Sequence, residues 1–318
     1  MRVLVTGANG FLGREVAAAL AAAGHDARGA VRDANRRVPE LYPDWAHIGD
    51  IGPETDWRGA LAGMDAVIHL AARVHVMHDR SNDPLRDFRR VNVAGTERLA
   101  RQAHRAGVRR MIFLSSIKVH GESENGPPLT EESALAPGDP YGVSKLEAET
   151  ALHAIAGEVG LEVAIIRPVL VYGPGVRANF LGLFRLADMA VPLPLASIHN
   201  RRSMVSAANL AALAVHCISH PRAAGEVFLA ADSEPLSTPE WLRRIAAALQ
   251  RPSRLFPFPA ALLKLSARSI GRPGMASRLC DSLEVDPSKS ARLLDWKQPL
   301  TTDEALARTA HWYRANRA

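Results

Sequence analysis

A glycine-rich turn at residues 6–13, Thr-Gly-Ala-Asn-Gly-Phe-Leu-Gly, restricts the fold more than any other feature of this sequence. It follows a β-rich run and opens a stretch with helical character. Gly7 permits a tight turn, Gly10 lets the backbone approach a phosphate without a Cβ in the way, and Gly13 lets helix and strand pack closely. The helix N-terminus adds unpaired N–H groups and a positive dipole end. The turn predicts a pyrophosphate site of a dinucleotide. Its expected contacts are Gly7, Asn9, Gly10, Phe11, Leu12 and Gly13.

Strand and helix patterns alternate through the first half of the chain. β-rich runs lie at 2–5, 27–31, 66–70, 110–114 and 163–166, and helical stretches at 13–23, 92–106 and 143–158. This alternation indicates a parallel sheet with helices on both faces. We predict an α/β protein with a Rossmann, doubly wound parallel sheet and a smaller, mostly helical C-terminal substrate lobe. The core would be 1–170, joined again by 205–232, and the lobe would be 171–204 and 233–318.

Composition and charge exclude several classes of protein. The chain has 318 residues, 47% of them hydrophobic, which is an ordinary globular balance. Its net charge of +6 comes without a dense basic stripe, so anionic small molecules are favoured and nucleic acid is not expected. Cys217 and Cys280 lack metal-ligand spacing, so no metal is predicted, and two lone cysteines suggest a reducing compartment. We expect no signal peptide, no membrane span and a cytoplasmic location.

Residues 255–270 are both apolar and basic. Such a segment can lie on a membrane surface. We favour a helix packed against the second lobe, because amphipathic helices usually face a core.

Three residues form a candidate catalytic site. Tyr141 and Lys145 are four apart in a helical stretch, so their side chains share one face. A positive charge at Lys145 would lower the phenol pKa of Tyr141 from about 10 and favour the phenolate. The Lys145 ammonium can also hold a nicotinamide ribose. Ser116, at the end of a strand, could bond the substrate oxygen and fix it for proton transfer.

The end of the second strand bears on which dinucleotide binds. An NAD site normally carries Asp or Glu there, bonded to the ribose 2′-OH. Here the strand ends in Val31 and is followed by Arg32, which suits a 2′-phosphate. We therefore favour NADP. NAD remains the alternative if Asp33 reaches the ribose and Arg32 faces solvent.

In this order the motifs resemble those of the extended short-chain dehydrogenase/reductases, the NAD-dependent epimerase/dehydratase family, in its nucleotide-sugar branch. The resemblance covers essentially the whole chain and implies a homodimer built around two helices, with a nucleotide-sugar substrate in the second lobe. It also implies further cofactor contacts from an adenine clamp, the loop after the fourth strand, a helix-opening asparagine and the loop under the nicotinamide. These are Asp50, Ile51, Leu70, Ala71, Ala72, Asn92 and Pro168. Tyr141 and Lys145 would contact the cofactor too. The substrate contacts implied are Ser116, Asn179, Arg202 and Arg278.

One departure from the family pattern narrows the reaction. The family's 4,6-dehydratases carry Asp-Glu after the catalytic hydroxyl residue, where this chain has Ile117 and Lys118. Neither can act as a carboxylic acid, which argues against a dehydratase. We favour a 4-keto reductase of a UDP-hexose or UDP-N-acetylhexosamine, because the NADP preference suggested by Arg32 points toward net reduction. The alternative is a UDP-glucose-type 4-epimerase, followed by a reductase of apolar ketones and a non-catalytic NADP sensor.

Overall fold

A sheet of seven parallel strands organises the structure, a computed structural model that describes residues 1–74, 83–121, 126–269 and 279–317. The strand order is β3-β2-β1-β4-β5-β6-β9. Its strands are β1 (Arg2–Thr6), β2 (Asp26–Val31), β3 (Asp44–His47), β4 (Ala66–His69), β5 (Arg110–Leu114), β6 (Glu162–Pro168) and β9 (Val227–Ala230). A separate parallel pair is formed by β7 (Leu170–Tyr172) and β8 (Met204–Ser206). The order reverses between β1 and β4, as in a doubly wound Rossmann sheet, which confirms the predicted fold class.

Helices connect the strands and fill the last third of the described chain. They are α1 (Phe11–Ala22), α2 (Arg58–Leu61), α3 (Pro84–Phe88), α4 (Gly95–Arg105), α5 (Pro140–Val159), α6 (Ala178–Asp188), α7 (Ala207–Ser219), α8 (Thr238–Ala248), α9 (Ala260–Ser269), α10 (Ser288–Leu294) and α11 (Thr302–Ala315). A π-helical segment, Arg89–Ala94, joins α3 to α4. Within the described ranges, no helix is long and apolar enough to cross a lipid bilayer.

The ends of α5, which carries two of the candidate catalytic residues, are set by local sequence. Asp139 caps its first turn by accepting a hydrogen bond from the Gly142 N–H at 2.7 Å, and Pro140 occupies the first helical position. Both choices suit a helix start, because Pro needs no N–H partner there and the Asp oxygen satisfies one. Gly160 ends the helix with φ of +76°, the left-handed conformation that glycine adopts readily.

Apolar side chains pack on both faces of the sheet. Along β1, Val3 and Val5 join one buried cluster and Leu4 joins another, as the alternation of a strand requires. The first cluster includes the buried faces of α1 and α7, and the second includes those of α4 and α5. A third cluster is built from aromatic and aliphatic residues after residue 170. Its largest members are Tyr172, Phe180, Phe184 and Trp241.

The structure differs from the sequence expectations in three places that bear on the site. The helix expected to begin at residue 92 is preceded by α3 and the π-helical segment, so Asn92 lies inside a helical run that Asp83 begins. Pro168 ends strand β6 rather than lying in a loop, and its register partner is Ala230. The family resemblance implies that Asn179 lies in the loop after the sixth strand, whereas the structure places it in the first turn of α6.

A buried carboxylate ties β9 to β7 and β8. Asp232, 2% exposed, accepts hydrogen bonds from the Tyr172 hydroxyl at 2.7 Å, the Ser206 N–H at 3.1 Å and the Asn209 amide at 2.8 Å. The network fixes the end of the sheet against the third cluster.

We expect Asp232→Ala to lower the free energy of unfolding by about 3 kcal/mol, because it leaves three buried donors without an acceptor. Urea denaturation measures the change. The exposed Asp26→Ala is the matched control and should stay within about 0.5 kcal/mol of wild type. Equal effects of the two substitutions would contradict this role for Asp232.

Candidate active site

The carboxyl ends of β1, β4 and β5 meet at one edge of the sheet. Thr6 ends β1 and His69 ends β4, and these two residues are register partners. The Thr6 hydroxyl lies 2.7 Å from His69 Nδ1 and accepts from the N–H groups of Leu70 and Ala71, each at 3.1 Å. His69 Nε2 lies 3.0 Å from the Thr96 hydroxyl on α4. This edge is where open α/β sheets bind ligands.

The glycine turn has the close approaches that the sequence predicted. Gly7 has φ of +67°, and a Cβ on it would lie 3.0 Å from the Ala71 nitrogen. A Cβ on Gly13 would lie 2.3 Å from the Ala8 carbonyl oxygen, so only glycine fits there. Gly10 precedes α1, whose first turn has neither a side-chain cap nor an acidic residue. The N–H groups and dipole of this helix end are therefore suited to a dinucleotide pyrophosphate.

The residues expected at the adenosine end lie close to one another on the surface. Arg32 and Asp50 approach to 3.7 Å, with side chains 66% and 73% exposed. Asp33 instead accepts from the Asn35 N–H at 2.9 Å. The Asn9 amide donates to the Arg36 carbonyl at 3.2 Å. The structure thus gives Arg32 an acidic neighbour, which reduces its attraction for a second negative group.

Two expected contact regions are tied to their surroundings by tight packing and hydrogen bonds. Ile51 lies against α4 so closely that a Cβ on Gly95 would be 2.5 Å from its Cγ2 atom. The Asn92 side chain accepts from the Arg73 N–H at 2.8 Å and donates to the Arg73 carbonyl and the Ser144 hydroxyl, each at 3.0 Å. Asn92 therefore connects helix α5 to Arg73, the residue that directly follows Leu70, Ala71 and Ala72.

Ser116 and Tyr141 are brought together from different elements. Ser116 begins a 3-10 turn, Ile117–Val119, that follows β5, and its hydroxyl accepts from the Lys118 N–H at 3.3 Å. Tyr141, in the first turn of α5, is hydrogen-bonded to the Ser116 side chain. Burial raises the pKa of Tyr141 to about 12, while the bond to Ser116 opposes that rise. The pair is placed to hold one substrate oxygen between two hydroxyls.

Lys145 lies one turn further along α5 in a dry environment. It is 2% exposed, and its Nζ is 4.0 Å from the centre of the Phe113 ring. Burial lowers the pKa of Lys145 to about 7, with Glu149 opposing the shift. We expected the Lys145 charge to lower the pKa of Tyr141. In the structure, desolvation by burial is instead the largest cause of the pKa shift of both Tyr141 and Lys145. Burial, with the Lys145 charge adding to it, also lowers the pKa of His69 to about 3, so this imidazole is neutral.

A buried ion pair behind the site was not predicted from the sequence. Arg167 on β6 donates to both carboxylate oxygens of Glu149 on α5, with a shortest distance of 2.6 Å. The Ser115 hydroxyl donates to the same carboxylate. Arg167 Nη1 also lies 2.9 Å from His120 Nε2, and burial lowers the pKa of His120. Glu149 is four residues after Lys145, and this spacing was the one available signal.

The residues that replace the dehydratase acids have other contacts. Ile117 is buried, and Lys118 forms an ion pair with Asp139, the cap of α5. The Asp139 carboxylate is therefore held by Lys118 and the Gly142 N–H.

Of the three expected diphosphate and nucleobase contacts, only Arg202 has a side chain within the described residues. Arg202 is partly buried, and its Nη1 donates to the Asp281 carbonyl at 2.9 Å. The side chain of Asn179 and all of Arg278 lie outside the described residues. Asn200 was not singled out from the sequence. Its side-chain amide donates to the Leu279 carbonyl at 3.2 Å and to the Asp281 carbonyl at 3.1 Å.

The burial of Lys145 predicts a pH-dependent cost in stability. Because its folded pKa lies below the ordinary 10.5, the unfolded chain binds the extra proton between about pH 7 and pH 10.5. Wild-type stability should therefore rise across this window relative to Lys145→Met. At pH 7, we expect the variant to be more stable by about 1–2 kcal/mol. Urea denaturation at pH 7 and pH 9.5 measures both effects.

The exposed Lys297→Met serves as the matched control and should show neither effect. A Lys145→Met variant that is less stable than wild type at pH 7, with no pH dependence, would contradict the desolvation account.

Comparison with known proteins agrees with this geometry. Residues 3–231 match the NAD dependent epimerase/dehydratase family. The chain is 44% identical over 311 residues to a UDP-glucose 4-epimerase of Vibrio cholerae, covering 97% of this chain and 94% of that protein. The structure of MoeE5 in complex with UDP-glucose and NAD aligns with a TM-score of 0.76 at 25% identity, covering all of both chains.

A UDP-glucuronic acid 4-epimerase from Bacillus cereus in complex with NAD aligns with a TM-score of 0.78 at 20% identity, again over the full length of both chains, and supports the fold. The family match and the Vibrio relative cover most of the chain. This protein therefore belongs to the NAD dependent epimerase/dehydratase family of extended short-chain dehydrogenase/reductases.

Proposed function

We propose that this protein is an NAD-dependent 4-epimerase of a UDP-hexose of the UDP-glucose type. The observation that carries the proposal is the Ser116–Tyr141 hydrogen bond at the carboxyl edge of the sheet, with Lys145 one turn away. The same three residues can remove a proton from a sugar hydroxyl and return it. The similarity to a UDP-glucose 4-epimerase over nearly the whole chain supports this reaction.

The epimerase, placed second by the sequence, has better support than the 4-keto reductase that we favoured. The reductase preference depended mainly on Arg32 as a mark of NADP, and Arg32 lies beside Asp50. A dehydratase is disfavoured because Lys118 and buried Ile117 stand where that reaction needs acids. The apolar-ketone reductase and the non-catalytic sensor gain no support from the site.

The chain's own residues would divide the work as follows. Ser116 holds the C4 oxygen of the sugar, and Tyr141 takes its proton and later returns it. Charged Lys145 favours the phenolate form of Tyr141 and can hold the nicotinamide ribose. NAD, when bound, supplies reversible acceptance of the C4 hydride. The glycine turn 7–13 would hold its pyrophosphate, and Asp50, Ile51, residues 70–72, Asn92 and Pro168 would line its length.

The substrate and assembly follow as part of the same proposal. We place the nucleotide sugar between the core, 1–170 with 205–232, and a lobe made of 171–204 and 233–318. The third apolar cluster lies in these lobe residues. Arg202 would contact the diphosphate, with Asn179 and Arg278 as further contacts. A homodimer built around two helices is proposed by analogy with the family.

Epimerisation without added reductant tests the proposed reaction. We expect wild type to interconvert UDP-glucose and UDP-galactose with no net change in NADH absorbance. Tyr141→Phe should lower kcat by about 10²–10⁴-fold, because the proton acceptor is lost. Chromatography of the sugar nucleotides measures the product. Tyr313→Phe, which loses one hydrogen bond to Asp188 at 3.3 Å, is the matched control and should keep its activity.

Steady consumption of NADPH with a 4-keto sugar nucleotide, together with no epimerisation of UDP-hexoses, would instead establish the reductase.

Cofactor choice is tested at Arg32. We expect wild type to bind NAD at least about tenfold more tightly than NADP, since Asp50 would repel a 2′-phosphate. Arg32→Ala should change the NAD affinity by less than about threefold, because this exposed guanidinium faces Asp50. Calorimetry on ligand-free protein measures both affinities. If wild type binds NADP more tightly than NAD and Arg32→Ala abolishes this difference, the result would support our original prediction of NADP.

A further inference from the structure

Five large apolar side chains are exposed in one region of the C-terminal half, which we call the apolar patch. They are Met189, Val191, Phe256, Leu262 and Leu265, with exposures of 65%, 38%, 41%, 50% and 60%. Elsewhere in the described chain, only Met1, Val74 and Leu135 are large, apolar and similarly exposed. Exposed apolar groups concentrated in this way mark a surface that meets a partner.

Hydrogen bonds hold the two halves of the patch side by side. The Leu193 N–H donates to the Arg254 carbonyl at 2.9 Å, and the Phe256 N–H donates to the Leu193 carbonyl at 3.0 Å. The Leu193–Leu255 pairing is parallel, so it places Val191 toward Ser253, and Phe256 follows it with its carbonyl accepting from the Ala196 N–H at 3.1 Å. Helix α9 begins four residues after Phe256, and its Leu263 packs against the same apolar cluster as Leu193 and Leu255.

Helix α9 has an inner and an outer face. Leu263 packs against the third apolar cluster, whereas Leu262 and Leu265, three residues apart, share the outward face. The expected packing against the lobe therefore accounts for one side of this helix. The two exposed leucines are left unexplained by it.

Basic residues outnumber acidic residues in the segment that carries Phe256 and helix α9. Residues 251–269, the described part of this segment, contain four Arg and Lys and no Asp or Glu. Arg254 and Arg185 are exposed, and Arg185 lies one helical turn before Met189. Asp188, next to the patch, is neutralised by Arg251 at 3.1 Å and Arg317 at 2.5 Å.

We propose that the apolar patch docks reversibly on an anionic phospholipid bilayer. Its leucines and phenylalanine would enter the headgroup boundary while the surrounding arginines meet lipid phosphates, a combination typical of peripheral membrane surfaces. A second copy of this chain fits less well, because two patches of the same strong positive charge repel each other face to face. This docking is separate from the epimerase reaction and does not depend on it.

Vesicle flotation with the full-length protein tests the proposal. We expect binding to vesicles of phosphatidylcholine with phosphatidylglycerol, little binding to phosphatidylcholine alone, and release by salt. Leu262→Ser/Leu265→Ser and, separately, Arg254→Glu should each reduce the vesicle partition coefficient by about tenfold or more. Arg109→Glu, an equal charge change at an exposed site outside this region, should alter it by less than about twofold. Unchanged thermal unfolding of each variant shows that its fold is intact.

Three results would overturn the proposal. The first is no binding of wild type to anionic vesicles at low salt. The second is an equal loss of binding in Arg109→Glu, which would indicate unspecific attraction by net charge. The third is self-association in solution that the leucine substitutions abolish without any effect on vesicles, which would assign the patch to a second copy.

Discussion

The candidate site depends on one buried ion pair, between Glu149 on α5 and Arg167 on β6. Their side chains are 3% and 5% exposed, and the guanidinium meets the carboxylate at two nitrogens. Since Glu149 lies on the helix that carries Tyr141 and Lys145, the pair fixes that helix against the sheet. Ser115, bonded to the same carboxylate, precedes Ser116. Removing one partner of such a pair leaves a buried charge uncompensated and strongly destabilises the fold.

The same burial that orders the site makes it costly to maintain. Lys145 and Tyr141 are both driven toward their neutral forms, with pKa values of about 7 and about 12. Their proton-transfer chemistry instead needs a charged lysine beside a phenolate. Such a site is stabilised by the surrounding network rather than by its own members. His69 belongs to that network, since its bonds to Thr6 and Thr96 link the ends of β1 and β4 to α4. The bond from Asn92 to Ser144 links the π-helical segment to α5.

The sequence predicted those parts of the fold and site that local chemistry determines. The turn at Gly7, Gly10 and Gly13 carries its own steric reason, and the alternation of strands and helices specified the sheet. The Ser116, Tyr141 and Lys145 set was readable because two members are one helical turn apart. Contacts between distant segments could not be read in this way.

Arg167 and Glu149 are 18 residues apart on different elements, and nothing periodic links Arg167 to His120. Likewise, Arg32 suggested NADP because the sequence does not reveal that Asp50 lies beside it. The helical segment before Asn92 was missed because α3 and the π-helical turn are short and interrupted in pattern. The outward leucines of α9 could be recognised only once their exposure was known.

The most direct test of the proposed chemistry follows the hydrogen at C4. UDP-glucose carrying deuterium at C4 would be converted by the enzyme in ordinary water, and the UDP-galactose formed would be examined by mass spectrometry and NMR. If one site removes the hydride and returns it to the same sugar, the product retains the deuterium at C4. Loss of the label to the free cofactor pool or the solvent would contradict a 4-epimerase that completes both half-reactions on one bound substrate.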